Sequence, residues 1–231
     1  MIAVGYLHPG EVSAVFSYSL LRAMLYEQVR AGVPPHVFAL RTASGQLVEG
    51  RNQVMEAFLS TDAEWLFMVD SDMGFGHDTI ERLIGDGTRP CVGALCFGVK
   101  RQGADDPVTM AVNLRCFPTI YGFVERDDDI GFQVITDYPR DEIVVASATG
   151  AACFVVRRDV VESIKDRYGT WFDQIVHPKG RKFSEDMSFW VRVAGCGFPL
   201  VIDTSIRTSH DKGGIFYTET VWDRQQALVD A

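Results

Sequence analysis

The stretch WLFMVDSDMGF, residues 65–75, sets five apolar residues directly before two carboxylates, Asp70 and Asp72, with one serine between them. Five consecutive apolar residues without polar alternation read as a strand buried on both faces, as found inside parallel sheets. A carboxylate withdrawn from water without a partner is costly, so a strand that ends this way implies positive charge close by. In parallel-sheet proteins, ligands gather at the carboxyl ends of strands. An extended chain through Ser71 points both carboxylates to the same side, into one cavity. Aspartates here also serve as caps of the turn and helix that follow.

Outward from this stretch, IAVGY (2–6) and HVFAL (36–40) read as two further buried strands. Between them, from Glu11 to Ala31, Phe16, Leu20 and Met24 recur every four residues with Leu21 and Leu25 beside them, a helical pattern that Gly32, Pro34 and Pro35 stop. A second helix runs from Arg51 to Leu59, with Met55, Phe58 and Leu59 inward. Asp78 caps a third through Ile84, ended by Gly85 and Gly87. Strand, helix, strand, helix, strand predicts an α/β fold with a parallel sheet covered on both faces. After Pro90 the pattern turns to strands: CVGALCFGV (91–99), TIYGFV (119–124), IGFQVI (130–135), EIVVASA (142–148) and AACFVV (151–156). The acidic run Asp127, Asp128 and Asp129 reads as a solvated hairpin tip, since three adjacent side chains of an extended chain cannot converge on one ion. Helices resume at Asp159–Asp166 and Glu185–Ala194, followed by the strand PLVID (199–203).

At 231 residues and 47% hydrophobic content the chain suffices for one well-buried core with an appendage. It has no apolar run of membrane-spanning length and no basic region ahead of its short N-terminal apolar stretch, which predicts a cytoplasmic protein without membrane insertion. The five cysteines, Cys91, Cys96, Cys116, Cys153 and Cys196, are an odd number without a C-x-x-C spacing, and read as buried free thiols. A net charge of −9 argues against a surface that binds nucleic acid throughout. Local basic patches remain at Lys100 with Arg101, Arg157 with Arg158, and Lys179, Arg181 and Lys182.

Three segments in order carry a resemblance. Arg51, Asn52 and Val54 on a helix followed by WLFMVDSDMGF resemble the nucleotide-sugar-binding half of GT-A glycosyltransferases, in which an arginine–asparagine pair opens a helix and the next strand ends in D-x-D. SATGAACFVVRRDVVESI (147–164) resembles that family's strand, with a glycine at its start, beneath the donor sugar. FSEDMSFWVRVAGCGFPLVIDTSIRTSH (183–210) is similar to its E-D-x-x-F-x-x-R helix, strand and histidine. The set spans most of the chain from Gly45 to Lys212. It implies one GT-A domain: a Rossmann-like, mostly parallel sheet with helices on both faces and a smaller β-rich acceptor-side region. Residues 1–89 would form the nucleotide-binding half, 90–210 the sugar and acceptor half, and 211–231 a flexible loop and C-terminal helix.

The resemblance implies a metal-dependent glycosyltransferase of hexosyltransferase type acting on a nucleoside-diphosphate sugar. The departing diphosphate needs an electrophile, and a divalent cation supplies one. By position Asp72 would ligate that cation, Asp70 would contact the ribose or the cation through water, and His210 would be the third protein ligand. Oxygen ligands suit Mg²⁺ or Mn²⁺, and one imidazole tilts the choice to Mn²⁺. Lys212 would meet the diphosphate; the plain alternative is an exposed loop lysine. His77 ranks below His210, and His36 and His177 carry no motif. Asp186 is the candidate base for the acceptor hydroxyl, with Glu185 in reserve, although acidic residues in a first helical turn are also stabilised by the helix dipole. The serine before this pair departs from the glycine of many relatives. Arg192 matches the family's arginine but reads foremost as structural. Tyr6, Leu7 and His8 would line the base site, Arg51 would contact base or phosphate, and Thr149 and Gly150 would lie near the sugar.

Compact members of the family resemble those of bacteria and their phages, whose acceptors include saccharides, proteins and modified DNA bases. A DNA acceptor would need the basic loop HPKGRK (177–182) beside the site to neutralise phosphates. Two rival readings are a metal-dependent nucleotidyltransferase, disfavoured because LHPGEVSAVFS after the first strand lacks a glycine cluster and any arginine or lysine, and a non-catalytic nucleotide-sugar-binding module.

Overall fold

The computed structural model describes residues 1–43, 45–101, 114–125, 130–178 and 180–229. The first half runs β1 (Ile2–His8), α1 (Ala14–Ala31), β2 (His36–Arg41), α2 (Leu47–Leu59), β3 (Trp65–Val69), β4 (Met73–Gly74), α3 (Thr79–Ile84) and β5 (Cys91–Leu95). A β-rich stretch follows: β6 (Phe97–Arg101), β7 (Leu114–Pro118), β8 (Ile120–Glu125), β9 (Ile130–Val134), β10 (Ile143–Ala146), β11 (Ala148–Thr149) and β12 (Cys153–Arg157). The chain ends with α4 (Arg158–Tyr168), α5 (Glu185–Gly195), β13 (Leu200–Arg207), β14 (Ser209–Lys212), β15 (Ile215–Tyr217) and α6 (Glu219–Val229).

Seven strands form the central sheet in the order β10-β13-β5-β12-β3-β1-β2. β1 pairs parallel with β2 and β3, and β5 with β13, while β12 runs antiparallel to both β3 and β5, as does β10 to β13. The sheet is therefore mixed, within the mostly parallel sheet expected, with β12 and β10 as its antiparallel members.

β3 lies inside the sheet, between β12 and β1, with all five residues buried. Trp65, Phe67 and Val69 face a core formed with Phe16 and Ala23 of α1 and Ile80 and Leu83 of α3. Leu66 and Met68 face the opposite core, built from Met55 and Phe58 of α2, Val160 and Ile164 of α4, and Phe189 and Trp190 of α5. Burial on both faces is why this stretch shows no alternation. α2 sits so close to β1 that a Cβ at Gly5 would overlap Val54 Cγ1.

Several boundaries differ from expectation. α1 begins at Ala14, where Ser13 Oγ accepts from Phe16 N at 3.1 Å. Its Leu21 and Leu25 are 60% and 55% exposed, because the inward stripe runs through Phe16, Ser19, Ala23 and Glu27. α2 begins at Leu47, so Arg51 lies in its second turn and does not open it. Residues 91–99 break at Cys96 into β5 and β6 on different sheets, residues 142–148 break at Ser147, and β7 was not expected at all. Asp78 precedes α3 without a side-chain cap bond. Residues 209–217 form a hairpin where a loop was expected. The acidic tip Asp127–Asp129 and Lys179 of the basic loop lie outside the described residues.

Candidate active site

Asp70 and Asp72 do not continue β3. The chain turns, with Met73 N donating to Asp70 O at 3.1 Å, and three further backbone bonds fix the turn: Asp70 N to Ala152 O (2.9 Å), Ser13 N to Ser71 O (3.0 Å) and Asp211 N to Asp72 O (2.8 Å). A turn, and not the extended chain expected, brings both carboxylates to one cleft of about 220 Å³ that Leu7, His8 and Arg51 also line. Tyr6 points elsewhere, its ring meeting Phe16 edge-on at 4.8 Å.

The two aspartates have different surroundings. Asp70 faces Arg51, with Nη2 3.4 Å from Oδ1. Burial raises its carboxyl above the usual range, Arg51 opposes this, and Asp72 adds a further upward push. Asp72 Oδ2 receives His210 Nε2 at 3.2 Å and Lys212 Nζ at 2.7 Å. Burial acts upward here too, but hydrogen bonds from His210 and Lys212 outweigh it and hold the carboxyl down at about 2.

β14 carries His210 and Lys212, and pairs with β4 at Ser209↔Gly74 and His210↔Met73. This approach requires glycine at 74, since a Cβ there would collide with Ser209 Oγ and Val15 Cγ2. His210 Nδ1 lies 2.9 Å from the Phe97 carbonyl oxygen, which can only accept. Nδ1 therefore donates to that carbonyl, and Nε2 is the ring nitrogen directed at Asp72 Oδ2. An imidazole nitrogen and a carboxylate oxygen brought to 3.2 Å are donor atoms of the kind that ligate a divalent cation. Among the described residues no group of three His, Cys, Asp or Glu side chains is placed to hold an ion together. Asp72 and His210 thus fit a two-ligand protein contribution to a divalent cation.

Arg51 ties this corner to α5. Its side chain is 6% exposed, and Nη1 lies 2.9 Å from Glu185 Oε1. Glu185 is thereby engaged in an ion pair. Asp186 accepts at Oδ1 from the Ser184 hydroxyl and from Met187 N at 2.8 Å, while Oδ2 lies 4.0 Å from where a Cβ on Gly150 would stand. One oxygen of Asp186 thus caps its own helix, and the other looks towards Gly150. Tyr121 is near: burial, with the negative charge of Asp186, pushes its phenol up to about 12. Thr149 is buried, its carbonyl accepting from Trp190 Nε1 at 2.7 Å and its hydroxyl 3.4 Å from that of Thr119. α5 is thereby pinned to the strand end beside Gly150.

Other sequence candidates serve the scaffold. Arg192 donates from Nη1 to the carbonyls of Trp171, Asp173 and Ser188. Asn52 takes no part in the cleft: its Oδ1 accepts from Phe172 N at 2.9 Å and its Nδ2 donates to Asp173 at 2.8 Å, ordering the loop against which Arg51 lies. Phe172 from that loop stacks under the Arg51 guanidinium at 5.6 Å, a contact the sequence did not signal. His77, just ahead of α3, faces α1 instead, with Nδ1 3.4 Å from Arg22 Nη2. The basic loop folds back on itself through Val176↔Lys182, just ahead of Ser184.

No protein-family model matches the chain, and no curated protein matches its sequence. Solved structures do. A197 from STIV is 13% identical with a TM-score of 0.51, over 92% of this chain and 86% of that one. GalNAc-T7, in a crystal structure with UDP, GalNAc and Mn²⁺, is 13% identical with a TM-score of 0.56, over 93% of this chain; the chain spans 44% of that protein. Likeness at this identity shows the fold, and the fold is GT-A, as expected.

Proposed function

We propose that the chain is a metal-dependent glycosyltransferase that passes a sugar from a nucleoside-diphosphate sugar to a hydroxyl acceptor. The observation that carries this reading is the division of labour around Arg51. On one side Asp72 and His210 converge with donor atoms suited to a divalent cation; on the other Asp186 presents an oxygen towards Gly150. The fold shared with GalNAc-T7, whose structure holds UDP, GalNAc and Mn²⁺, supports the same assignment.

Asp72 and His210 would hold Mn²⁺ or Mg²⁺, which when bound neutralises the diphosphate leaving group. Asp70, oriented by Arg51, would receive the ribose or a water on the cation. Leu7 and His8 line the cleft beyond and would flank the base, a position the sequence had also offered to Tyr6. Thr149 and Gly150 would lie under the sugar, glycine leaving room for close approach. Asp186 Oδ2 would accept the proton of the acceptor hydroxyl, while Oδ1 stays anchored at the start of α5. Glu185, paired with Arg51, would position and not exchange protons. The loop 177–182 precedes this carboxylate and would face the acceptor, be it saccharide, protein or modified DNA.

Incubation with a panel of nucleotide sugars and Mn²⁺ tests the proposal. Slow release of free sugar and nucleoside diphosphate, lost in Asp72→Asn, is the expected result. Exchange of nucleotide without sugar release would indicate nucleotidyl transfer, and saturable binding without turnover a binding module.

A further inference from the structure

Asp72 Oδ2 is shared by two groups that are held in different ways. His210 is fixed from both sides, by the Phe97 carbonyl at 2.9 Å and by the pairing of its strand with β4. Lys212 lies beyond that pairing, just before Gly213 and Gly214, whose φ values of 68° and 89° form the β14–β15 turn. Its side chain is 47% exposed, and among the described residues its ammonium bonds to Asp72 Oδ2 alone, at 2.7 Å. A four-carbon stem lets that ammonium swing away while the backbone stays in place.

Two cations at contact distance from one carboxylate oxygen repel each other strongly. Any divalent cation that takes Asp72 Oδ2 must therefore displace the ammonium. Resting on the metal-dependent reading above, we infer that Lys212 is a releasable placeholder cation. It neutralises Asp72 while no donor is present, and gives up that oxygen when the cation arrives with its diphosphate. The displaced ammonium then has the diphosphate as its natural partner. Metal without diphosphate must break the Lys212 pair for no return, so the site favours the two arriving together.

Calorimetric titration of Mn²⁺ alone into the wild type, Lys212→Met and Asp72→Asn tests this. Methionine keeps the length of the side chain and removes the charge. The inference predicts that Lys212→Met binds Mn²⁺ on the order of tenfold more tightly than the wild type, and that Asp72→Asn does not bind. Equal or weaker binding by Lys212→Met, with Asp72→Asn still silent, would overturn the placeholder role while leaving the metal site standing. Binding that survives unchanged in Asp72→Asn would remove the metal site and the inference with it, and absence of binding in every variant, Lys212→Met included, would overturn the placeholder role.

Discussion

Arg51 Nη1 stands 2.9 Å from Glu185 Oε1, an ion pair between residues 134 positions apart that joins the helix before the D-x-D strand to the helix bearing Asp186. The same guanidinium reaches Asp70 with its other nitrogen at 3.4 Å. One buried side chain thus couples a carboxylate of the turn after β3 to one at the start of α5. Replacing Arg51 with methionine would leave Glu185 and Asp70 without their counter-charge, and removing one member of a buried pair costs about 3 kcal/mol or more. Chemical denaturation should show that loss. Lysine should restore only part of it, because a single ammonium cannot fork to two carboxylates.

Asp186→Asn should lower turnover about 10²- to 10⁴-fold, the usual worth of a general base. Donor binding should survive, since Asp186 makes its hydrogen bonds at the start of its own helix. Glu185→Gln should instead weaken stability and reduce turnover less. Donor affinity by calorimetry alongside steady-state rates separates the two, and equal losses from both variants would count against Asp186 as the base.

The two aspartates should affect ligand-free stability in opposite directions. The carboxyl of Asp72 is depressed to about 2, so its pairing contributes fully above the ordinary carboxylate range and is lost as pH falls from about 4 towards 2. The carboxyl of Asp70 is raised, so its ionisation opposes folding, and stability declines as pH rises through its folded pKa. At neutral pH Asp70→Asn should therefore raise the melting temperature and Asp72→Asn lower it. Melting curves from pH 3 to 8 would show the difference narrowing in acid.

Gly74→Ala should destabilise by about 1 to 3 kcal/mol through overpacking. Its Cβ would push β14 away from β4 and carry His210 out of line with Asp72. Weaker Mn²⁺ binding in a chain that remains folded is the expected signature. Wild-type affinity in this variant would mean that strand spacing does not set the position of His210.

The layers of the fold were legible because β3 is buried on both faces and announces it by five unbroken apolar residues. The antiparallel insertion of β12 was not, since Cys153–Val156 is equally apolar whichever way it runs. On α1, Leu21 and Leu25 carried the same hydrophobic signal as Phe16 but lie outside the stripe that meets the sheet, which only packing reveals. In the site, Asp72, His210 and Lys212 meet although 138 and 140 residues separate the aspartate from its partners, and an ordered set of motifs placed them together. The turn at Ser71 and the Arg51–Glu185 bridge had no such signal. Each depends on tertiary distance: the first on backbone bonds from Ser13 and Asp211, the second on the fold bringing the first residue of α5 within reach of Arg51 on α2.

On the proposed function, Asp72 and His210 together hold a divalent cation carrying the donor's diphosphate. Titrating Mn²⁺ with a panel of nucleoside diphosphates and following bound manganese by electron paramagnetic resonance tests it most directly. One diphosphate-dependent site is expected in the wild type, abolished in Asp72→Asn and at least tenfold weaker in His210→Ala. Manganese binding that both substitutions leave untouched would contradict it.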